Sequence, residues 1–280
     1  MREQTKCSIF GIGAILLAGV GMAHASTTIY NDTFSTTGQG SAGYLNGTNT
    51  PGTTGTPADT VQWVAGTTAN SGANIVTGGG YATATAFGSD SKAFGAYLPL
   101  TVAPNTQYVL QATLAPNVPT PTSGNWLALG FTSGGGLNVA TYPFYNPVFA
   151  LYRDNGGTQA FSNYTNAGTT GGTASTPGTA DTITITLTTG SSISTGTADV
   201  AFSDTLGLFT SADNAVVPSS ALKNIGGVGF DFYYNTGEVS AFSLTSSPVP
   251  EPAAFGLFGV GAMLMLLARK RKRHENCVSI

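Results

Sequence analysis

Charge is what this sequence has least of. Asp, Glu, Lys and Arg make up 8% of its 280 residues, against about 25% in an average soluble domain. Histidine is nearly missing as well, with only His24 and His274, one towards each end. The two cysteines, Cys7 and Cys277, are equally peripheral. From Ser26 to Pro250 there is neither His nor Cys. That excludes a Ser-His-Asp or Cys-His nucleophile, a zinc site built on those ligands, and a disulfide framework in this stretch. Cations are scarce there too: Lys92, Arg153 and Lys223 stand against nine Asp and Glu238, a net charge of −7. An acidic body without a basic stripe repels phosphate backbones, so nucleic acid is not a partner. The Gly78-Gly79-Gly80 and Gly134-Gly135-Gly136 runs are followed by neither a Lys nor a helical pattern. They are not phosphate loops.

What the body does have is glycine, 38 residues in the whole chain, and aromatics at 10%. Disordered chains are poor in aromatics and rich in charge, so this composition predicts a packed core with many turns. A period of two runs through it. In "DTITITLTT", Ile183, Ile185 and Leu187 point one way while Thr182, Thr184, Thr186 and Thr188 point the other. "TQYVLQATL" places Tyr108, Leu110, Ala112 and Leu114 on one face, and "GVGFDFYY" groups Phe230, Phe232 and Tyr234 with Asp231 opposite. "NWLALGF" and "PVFALYR" are apolar on both faces, as central strands of stacked sheets are. Trp63 and Trp126 lie in such patterns and read as core. About ten to twelve segments of this kind alternate with Gly, Asn, Pro and Ser clusters. Asp154-Asn155-Gly156-Gly157 reads as a hairpin turn, because Asn-Gly accepts positive φ. Two low-complexity stretches, Gly47–Thr60 and Asn166–Asp181, read as surface loops. The expected fold is all-β: an antiparallel jelly-roll β-sandwich over residues 26–247, flanked by an N-terminal signal peptide and a C-terminal transmembrane helix.

Both flanks are addresses. Arg2 and Lys6 precede the apolar "SIFGIGAILLAGVG", and Ala23-His24-Ala25 obeys the small-x-small rule. Residues 1–25 therefore read as a signal peptide cut by signal peptidase between Ala25 and Ser26. At the other end the apolar run Ala253–Ala268 is followed by Arg269, Lys270, Arg271, Lys272 and Arg273. Sixteen residues make a helix of about 24 Å, short against a hydrocarbon core of about 30 Å. It spans with local thinning and with the basic cluster snorkelling on the cytoplasmic side, which leaves the body outside and residues 274–280 as a cytoplasmic tail.

Pro250-Glu251-Pro252, the short apolar helix and the terminal basic cluster together resemble the PEP-CTERM sorting signal of Gram-negative bacteria, here over residues 248–273. The resemblance implies a membrane-embedded exosortase as partner, with Pro250, Glu251 and Pro252 as its recognition element. It implies a transient inner-membrane tether facing the periplasm, then transfer to the cell surface or the exterior. "HENCVSI" continues past the basic cluster, where such signals often stop. The body in turn resembles concanavalin A-like (laminin-G-like) jelly rolls. The pattern is carried by "IYNDTFST", "YLPLTVAPNTQYVLQATL…NWLALGFTS", "PVFALYRDNGG" and "IGGVGFDFYYNTGEVSAFSLTS".

Candidate chemistry is thin. Glycoside hydrolysis needs two carboxyl groups about 5–9 Å apart, and the best pair is Asp231 with Glu238, the single Glu of the body. Carbohydrate binding needs an exposed aromatic platform with polar partners. Tyr142, Phe144 and Tyr145 in "TYPFYNP" form one candidate, and Tyr233 with Asp231 and Asn235 forms a second. Cofactors are expected to be none. A calcium ion at loop-tip Asp90, Asp154 and Asn155 is weighed against plain turn formation. The expected function is an exported structural or adhesive protein of the envelope or exopolysaccharide layer, not an enzyme. A lectin-like carbohydrate-binding module is the alternative.

Overall fold

The computed structural model describes residues 25–34, 61, 63–65, 75–84, 93–117, 124–133, 147–162, 165–169, 178–204, 207–234, 237–249 and 265. In chain order these form β1 (Thr27–Asp32), β2 (Val64–Ala65), β3 (Ile75–Gly78), β4 (Tyr81–Ala84), β5 (Ala93–Pro99), β6 (Thr106–Ala115), β7 (Trp126–Ser133) and β8 (Val148–Arg153). There follow β9 (Thr158–Ser162), β10 (Thr165–Thr169), β11 (Asp181–Thr189), β12 (Thr195–Asp204), β13 (Gly207–Pro218), the short helix α1 (Ser219–Lys223), β14 (Ile225–Tyr233) and β15 (Glu238–Pro248). Two sheets result. One runs β13-β12-β11-β6-β15-β4-β3, with β1 also on β15; the other runs β10-β9-β8-β7-β14-β5-β2. The pairings between these strands are antiparallel.

The period-two segments build the layers as their sequence predicts. In β11 the odd-numbered residues are buried and the threonines between them half-buried. On the polar face the threonines bond across the ladder: Thr113 to Thr182 at 3.1 Å, and Gln111 Nε2 donating to Thr184 Oγ1 at 3.1 Å. Across the sandwich β11 meets β8 and β6 meets β7, and Leu110, Ile185, Leu129, Phe131, Phe230 and Phe242 share one core. Strands β7 and β8 are buried along almost their whole length, in keeping with their unbroken apolar runs. The Asp154–Gly157 turn is a hairpin between β8 and β9: Arg153 N–H donates to Gly157 O at 2.8 Å, and Gly156 takes φ 81°.

Three features depart from the alternation. Residues Asn166–Thr169, expected to be loop, belong to β10 and pair with β9. Backbone pairing at a sheet edge needs no particular side chains, so the Gly- and Thr-rich composition conceals it. Tyr234 does not join Phe230 and Phe232: at φ 47° it turns out of β14 and is 38% exposed. Ala241, at φ 50°, sits where the β15 register shifts between Ser240 and Ser243. This bulge puts Val239 and Phe242, three residues apart, both into the core.

At the centre of the core stands Trp63, fully buried. Its ring lies 5.2 Å from Phe230, 4.9 Å from Phe242 and 5.9 Å from Phe34, centroid to centroid. Its indole N–H donates to Asp32 Oδ2 at 2.7 Å, and the backbone N–H of Phe34 donates to Asp32 Oδ1 at 2.7 Å. A carboxylate buried to 0% exposure is tolerable because donors meet both of its oxygens.

Candidate functional site

The chain enters and leaves the sandwich at the same end, because β1 and β15 are antiparallel with Thr27 opposite Ser246. Ala25 and Ser26, at the expected signal-peptidase cut, are exposed there just ahead of β1; Ala23 lies outside the described residues. On the way out, Val249 N–H still donates to Asn105 O at 2.7 Å. The folded body thus runs two residues beyond the expected boundary at 247. Pro250 follows at once and has no N–H to continue the ladder.

This pole is tied together by backbone and hydroxyl groups. Asn105 N–H donates to Gly190 O at 2.7 Å, and Leu100 N–H to Gly226 O at 3.0 Å. The buried Thr189 hydroxyl donates towards Ala103 O at 2.7 Å and accepts from Thr106 N–H at 3.0 Å. Tyr108 Oη accepts from Ala103 N–H at 2.8 Å, and the Tyr30 hydroxyl donates to Pro99 O. The sorting residues Pro250, Glu251 and Pro252 and the basic residues Arg269 to Arg273 lie outside the described residues. So does the expected span Ala253–Ala268, apart from Met265, which is helical and 74% exposed. Among the described residues no helix is long and apolar enough to cross a membrane.

The second region of interest is the face of the seven-stranded sheet turned away from the main core. Alternation places Trp126 and Ala128 of β7, Phe149 and Leu151 of β8, and Phe161 of β9 on it, with Tyr233 packed alongside. Tyr233 is opposite Trp126 in the ladder and stacks on it at 4.9 Å and 5°. Phe149 is opposite Phe161 and stacks on it at 4.5 Å and 3°. Gly130 of β7, opposite Phe149, makes room for it, since a Cβ there would lie 2.5 Å from Phe149 Cβ. Such cross-strand aromatic pairs each contribute about 0.2–1 kcal/mol. At the rim, the exposed Tyr234 ring meets Tyr233 edge-on at 4.9 Å and 77°.

Asp231 belongs to this face but not to its surface. It is 4% exposed, and the paired positions beside it are Ala128 and Gly95. Its Oδ1 has no hydrogen-bond partner. Desolvation pushes its carboxyl well above the usual carboxylate range, opposed only in part by a hydrogen bond from the Phe232 backbone. Asp231 and Tyr233 therefore share a face without forming an open polar and aromatic surface. Nor does Asp231 pair with Glu238, the best carboxylate pair the sequence offered: Glu238 is exposed at the start of β15 in the other sheet. Tyr142, Phe144, Tyr145, Asn235 and Asp90 lie outside the described residues.

Of the loop-tip residues weighed for calcium against plain turn formation, Asp154 and Asn155 are described. Asn155 Oδ1 already accepts from Gly157 N–H at 3.0 Å. Burial raises the Asp154 carboxyl, with the hydrogen bond from the Asn125 side chain pulling the other way. Among the described residues no three His, Cys, Asp or Glu side chains gather into a metal-binding group. Asp154 and Asn155 build the turn.

In class, then, the chain is a sandwich of two antiparallel sheets with a second aromatic layer and both ends at one pole. Its C-terminal segment is more specific: residues 248–272 match the PEP-CTERM protein-sorting motif. Structural neighbours are legume-type lectins, whose fold is a concanavalin A-like β-sandwich. The Lotus tetragonolobus seed lectin superposes with a TM-score of 0.46 at 12% identity over 68% of this chain and 94% of that one. Peanut lectin, solved with a nine-residue peptide, gives 0.48 at 10% identity over 68% and 100%. The metal-free carbohydrate recognition domain of Emp46p gives 0.44 at 10% over 66% and 87%. No curated protein matches the sequence.

Proposed function

We propose that this chain is an exported, non-catalytic envelope protein. Signal peptidase frees it at Ser26, and an exosortase recognises Pro250-Glu251-Pro252 and releases the body. The sandwich then serves as a structural or adhesive module at the cell surface or in the exopolysaccharide layer. One observation carries the reading: the sorting motif begins at Pro248, the last residue of the terminal strand β15. A sandwich that is complete where the motif begins keeps its fold when the rest is removed. The lack of His and Cys across Ser26–Pro250 supports a role without nucleophilic catalysis. The test compares mass and membrane fraction in an exosortase-bearing host. The wild-type chain should lose its C-terminal segment and leave the membrane, whereas a variant lacking Pro250–Pro252 should stay membrane-bound with that segment attached. Equal masses in the two strains would remove the reading.

A second reading, carbohydrate binding by the same body, is favoured by Tyr234. Its positive φ turns the ring outward beside the Trp126–Tyr233 stack, and an exposed ring with a half-buried neighbour is a surface on which a sugar's C–H face packs. Tyr234→Ala should weaken retention on the host's own exopolysaccharide about tenfold, equivalent to about 1.4 kcal/mol, and leave the thermal midpoint in place. Unchanged retention would leave the structural role alone.

A further inference from the structure

We infer that the pole from which both chain ends leave is a membrane-facing surface, resting on anionic lipid headgroups for as long as the C-terminal segment remains uncut. This rests on the reading that residues 253–268 are held in the bilayer. The first support is reach. Val249 is still hydrogen-bonded to Asn105, and only Pro250, Glu251 and Pro252 separate it from the apolar run. The four steps from Val249 to Ala253 cover about 14 Å at most. The interfacial layer on one side of a bilayer is about 5–8 Å deep. The run of 16 residues is itself shorter than the hydrocarbon core, so it has no length to lend to the spacer. The body cannot hang far from the lipid.

The second support is where the acids are. Ala25–Thr28, Leu100–Asn105, Gly190–Thr195, Val216–Ser220 and Ser246–Val249 make up the described segments of this pole, and none contains Asp or Glu. Lys223, exposed at the end of α1, is the charged residue nearest to them among those described. Strand direction sends Asp181 at the start of β11, Asp204 at the end of β12, Glu238 at the start of β15 and Asp154 beyond β8 to the opposite end. Nine residues of β11 put that end about 30 Å away. Two acids are much nearer: Asp199 lies four residues into β12 from Thr195, about 13 Å away, and Asp213 of β13 lies three residues from Val216, about 10 Å away. The far end lies well beyond a Debye length of about 8–10 Å, and these two acids lie at its edge. Even with Glu251 in the spacer, a body with net charge −7 thus meets an anionic surface with less repulsion by this end than by the other.

The third support is that the pole is stiff enough to act as a surface. The Thr189, Asn105 and Leu100 hydrogen bonds hold its turns together, and Val216 presents an apolar side chain 74% exposed.

The two native cysteines lie outside the body, which makes the test direct. In the full chain with Cys7→Ser and Cys277→Ser, a fluorophore is attached at Ser192→Cys on the pole or at Ala180→Cys at the far end. Both sites are exposed. Protein from a host without an exosortase is reconstituted into phosphatidylethanolamine–phosphatidylglycerol vesicles carrying a headgroup-linked quencher. Quenching at position 192 should exceed that at 180 several-fold, and adding Ser191→Glu with Ser194→Glu should reduce it. If the protein floats with the vesicles but quenching is equally weak at both positions, the membrane-facing pole is wrong and the tether stands. If it does not float, the tether fails and takes the inference with it.

Discussion

Trp63→Ala should destabilise the sandwich by about 3–5 kcal/mol, the range for removing a large aromatic from a packed core. That is a large share of the roughly 5–15 kcal/mol that holds a typical domain together. The size of the effect follows from three losses at one position. The ring closes the contact among Phe34, Phe230 and Phe242, which joins β14 of one sheet to β15 of the other. It is fully buried, so its removal leaves a cavity between the sheets. Its N–H is one of the donors to Asp32, a carboxylate with 0% exposure. Trp63→Phe separates these contributions. It keeps most of the packing but removes the donor to Oδ2, and should cost about 1–3 kcal/mol for leaving a buried polar group short of a partner. Chemical denaturation of the three proteins orders them directly. Were Trp63→Phe as stable as the wild type, the Asp32–Trp63 bond would have no structural weight. Were Trp63→Ala within 1 kcal/mol of the wild type, the core described here would be wrong.

Much of the sandwich can be read off single strands because each encodes its own two faces. Ile183, Ile185 and Leu187 alternate with threonines, and those are the residues that meet the core. The apolar runs of β7 and β8 announce burial on both faces, and both faces are buried. The sorting end is local in the same sense, since the motif and its flanking features follow one another without a gap. What escaped a reading of the sequence was decided between distant segments or by single backbone angles. Asp32 and Trp63 are 31 positions apart, and neither stretch signals the other. Alternation places Asp231 opposite Phe230 and Phe232 correctly. Whether that opposite face is wet depends on Trp126, Leu151 and Phe161 from three other strands. Tyr234 breaks its own pattern through one positive φ, and Ala241 does the same to keep Val239 and Phe242 inward. Neither residue type announces such a turn, since tyrosine and alanine rarely adopt that conformation.

Asp231 sets the other large expectation, a stability that falls as pH rises from acid towards neutral. In the unfolded chain its carboxyl ionises near pH 3.9. In the fold, Oδ1 has no partner, the paired neighbours are Ala128 and Gly95, and burial holds the proton on to a much higher pH. Below the unfolded value both states are protonated, and the group's favourable contribution is fully present. Above it, the unfolded state gains by ionising while the folded state does not. Stability then falls by about 1.4 kcal/mol per pH unit until the folded carboxyl ionises in turn, after which the loss is constant. Asp154, whose carboxyl is also raised by burial, acts in the same direction. Asp231→Asn retains the shape and an oxygen for the Phe232 N–H but has no charge to hide. It should match the wild type near pH 4 and exceed its stability increasingly as pH rises, with the gap growing at that same slope before it levels off. Denaturation midpoints at closely spaced pH values read this out, and Asp154→Asn gives the companion curve. Two parallel curves for wild type and Asp231→Asn would mean that this carboxyl reaches water or a cation in the folded protein, and that the second aromatic layer is open where it is described here as closed.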